Sequence, residues 1–186
     1  TIALVKEPTK ILESKEHLIT LHDKTSGIDG SSSLHRKPIG LIQHFRETSS
    51  QDSYMYAADR HLGFNHQEAM KVLLDPTYQD RWGVWHELGH TYQVEGMDWK
   101  ELDEVTVNIF SMRAQKALGQ RSRLEKDNVY TRIFNYLNNN QSNNFDRQGD
   151  FVKLGMFWQL ELAFGEDFYP NLHKLYREEG KNLATE

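Results

Sequence analysis

The spacing of apolar residues predicts one helix near the start of the chain, followed by two strands. Within residues 9–25, four apolar residues recur at helical spacing, namely Ile11, Leu12, Leu18 and Ile19. The segment SGIDGSSS then interrupts this pattern. Residues 37–46, KPIGLIQHFR, place alternate apolar residues on one face and predict a strand. Residues 53–64, SYMYAADRHLGF, form the second predicted strand.

A run of helices is predicted after these strands. Asn65 could cap a short helix that continues to Leu74, where Asp75-Pro76 ends it. The next helix carries WHELGHTYQ, residues 85–93. Because the pattern is mostly helical with a small sheet in the N-terminal third, the predicted fold class is α+β.

The turn GMDW, residues 96–99, is predicted to precede another helix. Asp98 and Glu101 fit the N-cap and N3 positions of a capping box, and this helix should run to about Leu118. A polar, low-complexity loop, NNNQSNNFDRQGD, follows later in the chain. The remaining helices are predicted at residues 122–138, 150–163 and 171–179, with Pro170 suited to the start of the last one.

Composition narrows the class of protein. A chain of 186 residues can bury one sizeable core, so residues 1–186 are expected to form a single domain. A net charge of −5 disfavours a nucleic-acid partner, and the absence of cysteine excludes disulfides and thiolate metal sites. No run of 18 apolar residues predicts a membrane span. The chain begins without methionine, and we expect it to be a domain excised from a longer chain.

The segment WHELGH, residues 85–90, has the spacing of a metal site. On a helix, His86 and His90 lie on one face, one turn apart, so two imidazoles can bind one zinc ion. Glu87 is rotated about 100° from His86 around the helix axis. It is therefore poorly placed to bind the metal but well placed beside a metal-bound water, where it can act as general base.

A structural role for these histidines is the competing interpretation, since paired histidines on a helix are usually exposed or satisfied in a core. The surrounding residues favour the metal site. The helix is flanked by apolar residues and is expected to be half-buried. Gly89 costs roughly 1 kcal/mol relative to alanine inside a helix, which indicates close packing by another element.

The third metal ligand must come from elsewhere in the chain. A metzincin would need glycine and then histidine or aspartate where this sequence has Gln93 and Gly96, so that pattern fails. Glu95 is too close to the histidines along the chain to fold back onto the metal easily. Asp98 and Glu101 have a competing role as capping residues of the next helix. The downstream candidates are Glu95, Asp98, Glu101, Asp103 and Glu104.

The helix after the turn favours Glu104. Two apolar stripes on this helix flank a polar stripe formed by Glu104, Asn108, Ser111 and Gln115. A polar stripe between two apolar ones is expected to face something specific, and the metal is the candidate. Asp103 falls on the other side of the helix. Asn108, one turn later, could then orient a ligand histidine. The alternative for Glu104 is an exposed helix carboxylate, and the alternative for Asn108 is a solvated polar side chain.

Two segments of the sequence resemble a known family. WGVWHELGHTYQ (82–93) followed by EVTVNIFS (104–111) is similar to the enhancin-like zinc metallopeptidases, the "M sixty" peptidase group of the gluzincins. YMYAADRHLGF resembles the family's strand before the catalytic helix, and FWQLELAFGEDFYPNLHKLYRE (157–178) resembles its C-terminal helical segment. The resemblance covers residues 38–178.

This resemblance implies a gluzincin-like catalytic domain that binds one Zn²⁺ ion. The family's zinc ligands correspond to His86, His90 and Glu104, and its catalytic glutamate corresponds to Glu87. The implied activity is endopeptidase cleavage of glycosylated, mucin-like proteins. The implied location is secreted or at the cell surface. The family's full domain usually extends further on the N-terminal side.

Two other functions remain open at the level of sequence: a zinc peptidase for ordinary peptides, and a non-catalytic glycan-binding domain. The intact Glu87 argues against the second, because a binding module has no use for a general base. Five residues could by type stabilise an oxyanion, and nothing in the sequence selects among Tyr130, Tyr136, Tyr169, His173 and Tyr176. Three aromatic residues near the motif could contact glycans but are more often core residues: Trp85, Tyr92 and Trp99. His61 and His66 are expected to be structural.

Overall fold

The computed structural model describes residues 5–37, 43–49, 53–58, 61–75, 81–94, 96–97, 101–138 and 144–183. Its three strands are β1 (His44–Thr48), β2 (Met55–Ala58) and β3 (His61–Asn65). Its α-helices are α1 (Pro8–Thr25), α2 (His66–Leu74), α3 (Trp82–His90), α4 (Asp103–Ala117), α5 (Arg123–Lys126), α6 (Val129–Asn138), α7 (Asp150–Phe164) and α8 (Phe168–Leu183). The mostly helical structure with a small sheet confirms the α+β prediction.

The sheet has β3 at its centre, in the order β1-β3-β2. β1 runs parallel to β3, and β2 pairs with β3 in the antiparallel direction. Leu62 and Phe64 of β3 are fully buried. β2 contacts α3, so the sheet lies directly beside the helix that carries the HExxH sequence.

The strand predictions needed correction. Residues 53–64 contain two strands, β2 and β3, rather than one. The segment lacks the Asn-Gly or Asp-Gly pair that typically marks a hairpin, so the sequence contains no local signal that divides it into two strands. The strand predicted at residues 37–46 begins at His44, and residues 38–42 lie outside the described residues.

The helix predictions for α1 and α2 are confirmed, whereas the capping box is wrong. α4 begins at Asp103 with Leu102 at the N-cap, and no side chain caps it. Glu101 precedes the helix and has a φ of 63°, which no N3 residue can have. Asp98 lies outside the described residues.

Three other helix boundaries differ from the predictions. α3 ends at His90, so residues 91–93 form a turn after it. The helix predicted at residues 122–138 is divided into α5 and α6, because Asn128 adopts a left-handed conformation with a φ of 52°. α8 begins at Phe168, which places Pro170 in its first turn, where a missing N–H costs nothing.

Helix α4 lies between two hydrophobic clusters and is buried from Val105 to Gln115. On one side it packs with residues of α5, α7 and α8, including Leu124, Trp158 and Tyr169. On the other side a second cluster joins β2, β3, α2 and α3. α4 is therefore held in place on both sides.

None of the helices in the described ranges has the length and the apolar composition of a membrane span.

The contact between α3 and α4 depends on Gly89. A Cβ atom built on this glycine would lie 2.9 Å from Val107 Cγ2 and 3.2 Å from the Val107 carbonyl oxygen. The second contact is backbone, which cannot move aside without shifting α4. The close packing predicted at Gly89 from the sequence is thus present.

We expect Gly89→Ala to destabilise the protein by about 1–3 kcal/mol, because overpacking against α4 outweighs the gain in helix propensity. Gly83→Ala is the matched control on the same helix. Its added Cβ would meet the Met55 Sδ at 2.9 Å, a flexible side chain that can move. Urea unfolding monitored by circular dichroism measures both variants. Equal effects of the two substitutions would contradict this interpretation.

His173 links α8 to α1 inside the core. Its side chain is buried, and Nδ1 donates a hydrogen bond to the Thr25 carbonyl oxygen at 2.9 Å. Its ring packs beside Phe110 and Tyr169. Burial lowers the pKa of His173 from 6.5 to about 4, since the interior solvates the imidazolium poorly.

The protein should therefore lose stability as the pH falls from about 6.5 to about 4, the window between the unfolded and folded pKa values of His173. In that window the unfolded chain binds a proton at this histidine that the folded chain does not. The free energy of unfolding therefore decreases, by up to about 3 kcal/mol. His173→Gln should show a shallower decline. Urea unfolding at a series of pH values, with a chelator present, measures both. Parallel pH profiles would count against the assignment.

Candidate metal centre

Helices α3 and α4 bring three metal-ligating side chains to one point. His86 and His90 lie on the same face of α3, and their Nε2 atoms are 3.2 Å apart. Glu104, in the first turn of α4, places one carboxylate oxygen 3.0 Å from His86 Nε2 and the other 3.6 Å from His90 Nε2. Within the described part of the chain, this is the one group of three such residues that could hold a metal ion.

Hydrogen bonding fixes the tautomer of His86. Asn108 Nδ2 donates to the Glu104 carbonyl oxygen at 2.7 Å. Because a carbonyl only accepts, the amide nitrogen must face it, which leaves Asn108 Oδ1 facing His86 Nδ1 at 2.9 Å. From these partners, the proton of neutral His86 is assigned to Nδ1. Its Nε2 atom then presents a lone pair to the centre.

The donor set fits a zinc ion. Two imidazole nitrogens 3.2 Å apart and a carboxylate would repel one another without a cation or a proton among them. Tetrahedral zinc with nitrogen ligands at 2.0–2.1 Å requires donors about 3.3 Å apart, close to the observed separations. Three protein donors would also leave a fourth position for water, as in catalytic zinc sites.

Glu87 lies beside this group without joining it. Its side chain is half-buried, and the Ala57 N–H of β2 donates a hydrogen bond to its carboxylate. Burial raises the pKa of the Glu87 carboxyl, while the neighbouring imidazoles of His86 and His90 oppose that shift. A carboxyl group with a raised pKa is suited to accept and return a proton.

A pocket of about 460 Å³ opens over the centre. One wall is formed by β2 through Met55, Tyr56 and Ala57. The other wall contains Glu87 and the side chains of the metal-ligating group. A bound molecule in this pocket would therefore contact the potential metal ligands and the half-buried carboxyl group together.

The other acidic candidates within the described residues do not join the centre. Asp103 is exposed and lies outside the three-residue group, as does Glu101. Glu95 and Asp98 lie outside the described residues. The polar stripe of α4 divides: Glu104 and Asn108 face the centre, but Gln115 Oε1 accepts a hydrogen bond from the backbone N–H of Arg123 at the start of α5.

None of the five oxyanion candidates lines the pocket. Tyr169 is fully buried and donates its hydroxyl proton to the Phe157 carbonyl oxygen. His173 is also buried, and its Nδ1 atom donates a hydrogen bond to the Thr25 carbonyl oxygen. The remaining tyrosines pack against the core cluster around α7: Tyr130, Tyr136 and Tyr176.

Three of the aromatic and histidine side chains near the motif have structural contacts, namely Trp85, Tyr92 and His61. Trp85 is 1% exposed and belongs to the core. Tyr92 donates a hydrogen bond to Asp23 at 2.7 Å, and Trp99 lies outside the described residues. His61 Nε2 lies 2.8 Å from Arg46 Nη2, and His66 is exposed at the start of α2.

Two features of the site were not assigned from the sequence. Tyr56 and its neighbours on β2 form a pocket wall, which only the pairing of the sheet with α3 brings to the metal group. Gln93 Oε1 lies 2.8 Å from His90 Nδ1. Its position three residues after His90, within reach of that ring, was the available signal in the sequence.

Solved structures of similar proteins can be compared with this chain. A crystal structure of a functionally unknown conserved protein from Bacillus anthracis str. Ames is 36% identical and superposes on 92% of this chain with a TM-score of 0.83. A mutant of a functionally unknown conserved protein from the same strain is 35% identical, with the same coverage and TM-score. This chain spans 35% of the length of either relative. No curated protein matches the sequence.

The family described as "Peptidase M60, enhancin and enhancin-like" matches residues 3–185, which is nearly the whole chain. The match includes every residue of the metal group and of the pocket. It also agrees with the resemblance carried by the two sequence motifs around α3 and α4. This chain therefore belongs to the enhancin and enhancin-like peptidase family.

Proposed function

We propose that residues 1–186 form a gluzincin-like, zinc-dependent endopeptidase domain that cleaves glycosylated, mucin-like proteins. The observation that supports this most strongly is the convergence of His86, His90 and Glu104 beside the half-buried Glu87 at one pocket. Membership of the peptidase family supports hydrolase activity. The glycoprotein preference and a secreted or cell-surface location are supported by the enhancin-like relationship alone.

In this proposal His86, His90 and Glu104 hold one Zn²⁺ ion. A bound zinc ion supplies Lewis acidity, which activates water and polarises the carbonyl of the scissile peptide bond. Glu87 accepts the proton of the attacking water and transfers it to the nitrogen of the leaving amine. The half-buried carboxylate lies beside the three donors and lines the same pocket, which is the position that both steps require.

Strand β2 is the proposed docking edge for the substrate backbone. It is the outer strand beside β3 in the described sheet, and three of its four residues line the pocket. An extended peptide added beside an outer strand gains main-chain hydrogen bonds without any requirement on its side chains. This arrangement would present a peptide bond to Glu87 and the metal group, and it supports endopeptidase activity over a purely glycan-binding role.

The first test is zinc binding by Glu104→Ala, measured by competition with a chromogenic chelator. Loss of one of three protein ligands should weaken zinc binding by at least about 100-fold, since even indirect partners of a ligand contribute 10–100-fold. Asp103→Ala is the matched control, because Asp103 is the adjacent exposed carboxylate outside the metal group. Unchanged affinity in Glu104→Ala would move the third ligand to Asp98, Glu101 or Asp103.

The second test is cleavage of an O-glycosylated mucin and of its deglycosylated form, with fragments resolved by electrophoresis. Glu87→Gln should bind zinc normally but lose about 100-fold or more in rate, because the general base is removed. Glu68→Gln, an exposed carboxylate that pairs with Lys71 on α2, is the control and should retain full activity.

Each outcome of the cleavage test distinguishes the candidate functions. Fragments from the glycosylated form alone support the glycoprotein peptidase. Equal cleavage of both forms indicates a peptidase for ordinary peptides. Zinc binding without cleavage of either form favours a non-catalytic glycan-binding domain, and wild-type rates in Glu87→Gln would overturn the proposed mechanism.

A further inference from the structure

Gln93 contacts both helices of the metal centre. It lies in the turn after α3 and is half-buried. Its Oε1 atom is 2.8 Å from His90 Nδ1. Its Nε2 atom donates to the Asp103 carbonyl oxygen at 2.6 Å and to Thr106 Oγ1 at 3.1 Å. One amide group therefore connects a histidine of α3 with the first turn of α4.

The orientation of this amide is determined by its partners on α4. The Asp103 carbonyl oxygen can only accept a hydrogen bond. The Thr106 hydroxyl donates its own proton to the Leu102 carbonyl oxygen at 3.0 Å, so toward Gln93 it also can only accept. Both partners require the NH₂ side of the amide. Oε1 is thereby directed at His90, and a flipped amide would lose both contacts with α4.

The orientation of Gln93 determines where His90 carries its proton. An Oε1 acceptor at 2.8 Å favours the tautomer of His90 that is protonated at Nδ1. Nε2, the atom that faces His86 and Glu104, is then left with a free lone pair. The opposite tautomer would carry its proton on Nε2, inside the group of donors. Its unprotonated Nδ1 would then face Gln93 Oε1, so that two hydrogen-bond acceptors would be in contact.

Asn108 makes the corresponding connection for the other histidine. It accepts from His86 Nδ1 and donates to the carbonyl oxygen of Glu104. Gln93 uses the carbonyl oxygen of Asp103, the preceding residue. Two amides thus bind the two histidines of α3 to consecutive backbone carbonyls at the turn that carries the third donor.

We propose that Gln93 is a positioning residue that fixes the tautomer and ring orientation of His90 and couples this ring to the turn carrying Glu104. The three donors are then arranged before a metal binds. This inference rests on the proposed zinc site and adds to it a residue that acts through His90.

The direct test is the tautomer of the neutral His90 ring in the metal-free wild-type protein, measured from the ¹⁵N chemical shifts of its imidazole under conditions in which no additional proton is bound among the three donors. We expect the form protonated at Nδ1. This measurement needs no substitution and is independent of activity. A predominantly Nε2-protonated ring would overturn the inference.

The second test is zinc affinity, measured by chelator competition in Gln93→Met and Gln93→Glu. Methionine keeps the length of the side chain but makes neither hydrogen bond, so zinc binding should weaken about 10–100-fold. Glutamate restores the acceptor for Nδ1–H and should recover part of that loss. Gln67→Leu, an exposed position on α2, is the control and should match the wild type.

The outcomes separate this inference from the proposed function. If the wild type binds no zinc, both fail together. If Glu104→Ala weakens zinc binding while Gln93→Met matches the wild type, only the role of Gln93 fails. A lower unfolding midpoint of metal-free Gln93→Met with unchanged zinc affinity would indicate a purely structural residue and would also overturn the inference.

Discussion

The close approach of α3 and α4 is the constraint on which the metal group depends. Two donors lie on α3 and the third lies on α4, so the distance between the helix axes sets the distance between donors. Gly89 sits between His86 and His90 in sequence and packs against Val107 of α4, with room for a hydrogen atom but not for a methyl group. Metal–ligand distances can deviate by only about 0.2 Å from their ideal values. The donors can therefore keep a suitable geometry only if α3 and α4 remain as close as the packing of Gly89 allows.

Helix α4 can serve as the reference for the site because it is held on both sides. One of its buried polar side chains, that of Arg113, forms an ion pair with the next helix across the core. Arg113 donates to Glu161 of α7 at 2.6 Å, and both side chains are almost fully buried. A buried ion pair contributes little net stability but strongly penalises any arrangement that separates its partners. Displacement of α4 toward or away from α7 is opposed in this way, and Glu104 moves only as far as α4 does.

Local periodicity made part of the site predictable from the sequence. The shared face of His86 and His90, the offset of Glu87, and the polar stripe with Glu104 all follow from 3.6 residues per turn. The start of α4, the division of residues 53–64 into two strands, and the contact of Gln93 depend instead on packing between distant segments. Hydrophobic patterning carries no information about such hydrogen bonds, which is also why Tyr169 and His173 remained open as oxyanion candidates until their backbone partners were known.

The two sides of the metal group differ in their surroundings. The Nδ1 side of each histidine faces an amide of the protein, so the rings are fixed from behind. The Nε2 side faces the pocket, where the His86 and His90 side chains are 16% and 22% exposed and Glu104 is 54% exposed. In the proposed binding mode, a substrate docked along β2 would approach the donors from this Nε2 side, on which the half-buried Glu87 also lines the pocket.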